Sequence, residues 1–170
     1  MPESSVSNLP GSRVDQTLRL LRSLGMAGVL GGLGALVAMW AFSPEPTNGG
    51  EWRLLVTTMR SVFYACVFTG ILILVPVGSI LWRRRRKTLH GRRWFRTLLV
   101  ILLVTIPGLH IGARLTSIAL RKAVEANDAT RAAELWNRLG WLFLIALLVF
   151  LVASWIATAR PRLGQHDMTP

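Results

Sequence analysis

Four apolar runs separated by short polar stretches set the plan of this chain. The first is SLGMAGVLGGLGALVAMWAF, about residues 23–42, and the second is SVFYACVFTGILILVPVGSILW, about 61–82. The third runs from about Trp94 to Arg114, and the fourth is LGWLFLIALLVFLVASWIATA, about 139–159. Each is about 20 residues, the length a helix needs to cross a hydrocarbon core of ~30 Å. The pattern predicts an all-α, integral membrane four-helix bundle, up-down-up-down.

The polar stretches fill in the boundaries. Residues 1–12, MPESSVSNLPGS, read as a disordered tail rich in Ser and Pro. Residues 13–22 form an amphipathic lead-in with Arg19 and Arg22 at the membrane surface. A cleaved signal peptide is the competing reading of the first run. Its apolar core is usually about 7–15 residues with an A-x-A-like site, which Ala38-Met39-Trp40-Ala41 does not supply. Residues 43–50, SPEPTNGG, make a turn, and Glu51 to Arg60 begins the second helix outside the hydrocarbon. Pro76 and Pro107 interrupt the second and third runs, and a proline frees a carbonyl and kinks a helix. Beyond Arg114 the chain stays helix-compatible to a turn at Asn127-Asp128. The membrane domain is expected over 13–163, followed by a short polar tail, 164–170.

Charge gives the orientation. The net charge is +12 and the mean hydropathy +0.45. The segment between the second and third runs holds Arg83, Arg84, Arg85, Arg86, Lys87, Arg92, Arg93 and Arg96. Positive charge is retained on the cytoplasmic side, so this loop and both termini are expected inside. Thirteen Lys and Arg residues then lie inside and seven outside. Trp40, Trp52, Trp136 and Trp141 fall near the outer interface, and Trp82, Trp94 and Trp155 near the inner one, the amphipathic depth tryptophan prefers. The basic charge lies beside apolar runs with no stacking-aromatic module around it. Anionic phospholipids, not nucleic acid, are the expected counter-surface. The Arg run also matches a nuclear-localisation pattern, but one trapped between two spans does not act as such a signal. An Ala-, Arg- and Gly-heavy composition points to a bacterial cytoplasmic membrane.

Chemistry is sparse. Gly25, Gly28, Gly31, Gly32 and Gly34 crowd the first run, with Gly28 and Gly32 forming a GxxxG pair. No Gly-Lys-Ser/Thr follows, so this is no P-loop, and no strand precedes it, so it is no dinucleotide fingerprint. Close helix packing within the bundle is expected, ahead of dimerisation. Cys66 is the single cysteine and forms no disulfide within the chain. No Asp, Glu or Lys lies in any of the four runs, which argues against a proton pump or ion-coupled carrier. No nucleophile–base arrangement is recognisable, and His90 and His166 fall in cytoplasmic segments.

One cluster stands out. Arg60 and Tyr64 are one turn apart, as are His110 and Arg114, and each pair shares a helix face at the outer end. They are the candidate rim for a lipid phosphate or a partner. Pro107-Gly108 is expected to bend the third helix and open a gap there lined by Tyr64 and His110. Met39 and Met59 lie at similar depth. His with Met can hold Cu(I) or ligate haem iron, so His110, Met39 and Met59 are the metal candidates. Against this, Arg at a helix end is mostly a snorkelling anchor, and a lone His is usually a packing residue.

Arg93-Trp94-Phe95-Arg96 opens a span, an apolar run leads to a Gly-containing outer end, and Leu135-Trp136 leads the last span into Arg160-Pro161-Arg162-Leu163. In this pattern the last three spans, about half the chain, resemble the copper-resistance D type and related uncharacterised bacterial multi-pass membrane families. The resemblance implies a multi-pass inner-membrane protein and carries copper with it. Taken together, the residues favour a non-catalytic accessory, scaffold or assembly subunit with membrane-protein partners. A copper- or haem-associated protein using His110 is the alternative.

Overall fold

The structure, a computed structural model, describes residues 10–89 and 93–159, with side chains over 14–80, at Arg83 and over 104–155. It is all-helical. Helix α1 spans Pro10–Phe42. Helix α2 begins as Gly49–Val62, passes through a π-helical segment Phe63–Phe68, and continues as Thr69–Leu89. Helix α3 spans Arg93–Glu125 and α4 spans Ala129–Ala159. Three helices have stretches long and apolar enough to cross a membrane: Val14–Phe42, Gly49–Ile80 and Ala129–Trp155. The expected third span, 94–114, lies in α3, and its side chains before Val104 fall outside the described residues. So do the side chains of the basic segment after Arg83, residues 1–9 of the expected tail, and the tail beyond Ala159.

Local chemistry explains the turns. Asn48 caps α2, its side chain accepting from the Glu51 N–H at 2.9 Å. The Glu51 carboxylate reaches back and accepts from the Thr47 N–H at 2.7 Å. This reciprocal arrangement satisfies donors that a helix start leaves open. At the other turn, Asn127 adopts φ 56°, a left-handed conformation that asparagine tolerates. The Asn127 N–H donates to the Val124 carbonyl and the Asp128 N–H to the Ala123 carbonyl. The Asp128 carboxylate then accepts from the Arg131 N–H at 3.0 Å, opening α4. The two turns meet: a Cβ built on Gly49 would lie 3.1 Å from Asn127 Oδ1. This is the loop end of the bundle.

Glycine draws α1 onto α2. A Cβ on Gly32 would lie 2.7 Å from both Cys66 Cβ and Val67 Cγ2, and one on Gly28 3.3 Å from the Cys66 carbonyl oxygen. On the facing helix, a Cβ on Gly70 would lie 2.8 Å from the Gly25 carbonyl oxygen and the Val29 nitrogen. From Gly25 to Gly32 the opposing residues fall from Leu74 to Cys66, so α1 and α2 run antiparallel. Gly31 and Gly34 face open space.

The π-helical segment sits on this seam. A π turn inserts an extra residue and loosens the regular hydrogen-bond ladder. The Thr69 hydroxyl donates to the Tyr64 carbonyl at 3.1 Å, an additional bond at the far side of that segment.

Toward the loop end the packing changes character. Trp52, Leu120, Ala123, Val124, Ala132, Trp136 and Leu139 are all buried and belong to one core cluster with Val29, Leu33, Leu36 and Phe143. Trp52 and Trp136 therefore act as core residues, although their sequence positions read as interface anchors. The difference has a simple cause: α2, α3 and α4 extend beyond the end of α1 and must bury apolar faces against one another. Trp40 lies across Gly140, its ring occupying the place a Cβ would take. Its indole N–H donates to Asn137 Oδ1 at 3.2 Å, and its ring centroid is 5.4 Å from that of Trp141.

Candidate functional rim between helices two and three

The π-helical segment presents an aromatic row. Phe63 meets Tyr64 edge-on at 5.7 Å, and Tyr64 meets Phe68 edge-on at 5.9 Å. Arg60, one turn before Tyr64, places its guanidinium carbon 5.6 Å from the Tyr64 ring centroid. At that range the ring face attracts the cation and restrains it. The i, i+4 spacing read from the sequence is thus a physical contact on α2.

The second pair reaches this row through a residue that sequence reasoning did not single out. His110 of α3 lies against Phe63, ring centroids 6.5 Å apart and planes inclined by 29°. Tyr64 and His110 are therefore linked through Phe63. Nothing in the spacing of Phe63 marked it, because one phenylalanine in an apolar run resembles any other. His110 makes no hydrogen bond among the described residues. Arg114 is exposed one turn further along α3.

The metal candidates separate by burial. Met59 is 4% exposed within the core, and Met39 packs against that core, whereas His110 is exposed. Among the described residues no group of three His, Cys, Asp or Glu side chains could hold a metal ion. Gly28 and Gly32, read as packing residues, sit on the α1–α2 seam. Of the cytoplasmic basic candidates, Arg83 is exposed, and Arg84, Arg85, Arg86, Lys87, Arg92 and Arg93 have side chains outside the described residues.

Arg60 and Arg114 form no ion pair among the described residues. Arg121, further out on α3, is paired with Glu125 at 2.8 Å. No protein-family model, curated protein or solved structure matches this chain. The rim itself offers two guanidiniums without an ion pair among the described residues, one held over a tyrosine, beside exposed aromatic and aliphatic side chains. Such a surface can bind an anion with an apolar neighbour.

Proposed function

We propose that this protein is a non-catalytic accessory, scaffold or assembly subunit of a complex in a bacterial cytoplasmic membrane. In this reading the chain crosses four times, up-down-up-down, with both termini and the basic segment on the cytoplasmic side. Anionic phospholipid and other membrane proteins are its partners. The observation that carries the proposal is the chemistry of the interior. Among the described residues the one buried polar or charged side chain outside the aromatic set is Thr116. Its hydroxyl donates to the Gly112 carbonyl at 2.8 Å, within its own helix. Among the described residues the interior thus offers a solute no polar path and a reaction no acid or base. The distinctive chemistry lies on the surface, where a subunit meets its neighbours.

Affinity purification of the tagged full-length protein in mild detergent tests this reading. The expected result is one or more membrane proteins recovered in fixed ratio. Recovery of the chain alone, carrying copper by metal analysis or a haem absorption band, would overturn it in favour of the His110 alternative. Reporter fusions at residues 48, 88 and 128 test the topology and are expected to read outside, inside and outside.

A further inference from the structure

We propose that Arg60 and Arg114 form a binding site for the phosphate of an anionic phospholipid, at the loop end of the α2–α3 seam, with its acyl region over the aromatic row beneath. This deepens the phospholipid contact named above and does not depend on the subunit role. Three lines of geometry carry it.

The first is height. The contacts Gly49 to Asn127 and Phe63 to His110 show α2 and α3 running antiparallel. Toward the loop end, Arg60 is three residues beyond Phe63 and Arg114 four residues beyond His110. At the helical rise these are about 4.5 Å and about 6 Å, so the two arginines stand at nearly one level.

The second is direction. Viewed from the loop end, Arg60 is turned about 60° clockwise from Phe63 on α2. On the antiparallel α3, Arg114 is turned about 40° anticlockwise from His110. Opposite rotations on facing helices swing both side chains to the same side of the seam. Tyr64 lies on that side too, beneath Arg60, and its ring holds the guanidinium in place.

The third is depth and surroundings. Arg114 stands 13 residues before Asn127 and Trp141 stands 14 after it, so they share a height on the α3–α4 hairpin. Trp141 is 52% exposed, and an exposed tryptophan beside an apolar helix face marks the headgroup level. Deeper than the arginines, Tyr64, Phe68 and Ile111 are all exposed. An arginine pair at headgroup depth above apolar surface fits a phosphate that carries acyl chains. Free phosphate shares the anion chemistry but makes no use of that surface, and an acidic peptide needs neither the depth nor the aromatic row.

The test uses purified full-length protein in mild detergent, with bound phospholipid counted by native mass spectrometry. Phosphatidylglycerol is expected to bind at least about tenfold more tightly than phosphatidylcholine. The double variant Arg60→Gln/Arg114→Gln is expected to lose that preference, while the charge-matched Arg131→Gln/Arg138→Gln keeps it; each surface arginine near anionic lipid contributes about 1 kcal/mol, and two together correspond to roughly thirtyfold. Circular dichroism and melting of each variant should equal the parent, since all four arginines are exposed. In the parent, a photoreactive phosphatidylglycerol is expected to label residues 60–68 and 107–114. The proposal is overturned if the double variant binds as the parent does, if the control pair loses as much, or if the label falls on α1 or α4 instead. It is equally overturned if inorganic phosphate alone binds as tightly as phosphatidylglycerol, or if a soluble polyglutamate peptide displaces the lipid at equal concentration.

Discussion

The α1–α2 seam and the loop-end core hold the same bundle together by opposite means. Along the seam, glycines let the helices approach closely: Gly25, Gly28 and Gly32 on one side, Gly70 on the other, with the small side chains of Val29 and Val67 buried beside them. In the loop-end core the contacts are made by large side chains, with Trp52 and Leu120 almost fully buried. Each means suits a different solvent. Lipid is as apolar as leucine, so a spanning helix gains little by burying bulk and more by bringing backbones close. Where helices leave the hydrocarbon, apolar area removed from water stabilises at roughly 25 cal/mol per Å², and bulk becomes the useful feature. One short chain carries both solutions, at successive levels of the same helices.

Substitutions can break this contrast at either end. The largest effect is expected for Gly32→Leu. Its first added carbon would already lie 2.7 Å from Cys66 Cβ and 3.1 Å from the Val67 backbone nitrogen. Backbone cannot step aside, so the helices must part, with a destabilisation of roughly 3 kcal/mol or more and loss of the monodisperse folded species in detergent. Gly28→Leu should follow the same course at a smaller cost, because its nearest neighbour is 3.3 Å away. Parent-like melting of both variants would show that the seam does not hold the bundle together.

Next comes Leu120→Ala in the loop-end core. Leu120 is fully buried, so the change should cost about 3 kcal/mol through lost burial and the cavity left behind. Thermal unfolding read by tryptophan fluorescence suits this test, since Trp52 and Trp136 belong to the same cluster. An unchanged midpoint would mean that this end is not a cooperative core. The capping change Asn48→Ala should cost about 1 kcal/mol, visible in the same unfolding curve, because it removes the acceptor for the Glu51 N–H.

The smallest effect sharpens the comparison most. Gly31→Ala and Gly34→Ala add a methyl group where nothing lies within 4 Å. Both should melt within about 1 kcal/mol of the parent or slightly above it, since alanine favours helix over glycine. Clear destabilisation by either would place a neighbour on that face, such as a second copy or a partner helix.

The glycines show how far the sequence could be read. Their crowding announced close packing, and GxxxG named Gly28 and Gly32. It did not say which of the five touch a neighbour, because that depends on where the partner helix lies. The rim tells a similar story. Spacing placed Arg60 beside Tyr64 and His110 beside Arg114, since i, i+4 neighbours follow from helix geometry alone. Phe63 between the two pairs was invisible, because its part is defined by a residue 47 positions away on another helix. The π-helical segment was equally hidden: its residues, FYACVF, suit an ordinary helix, and its place against the glycine face of α1 appears only in the packed bundle.

By itself, then, the chain's apolar period and length determined that it is helical, that three of its helices are long and apolar enough to cross a membrane, and where its turns fall at Asn48 and Asn127. Those properties depend on residues within a few positions of one another, on capping side chains and on left-handed tolerance, so they are written locally. The tertiary structure decided which glycines touch, that Trp52 and Trp136 serve as core, and that His110 lies against Phe63. These depend on the register and rotation of whole helices against one another. That register is set by the sum of many small contacts, and no single stretch of sequence records it.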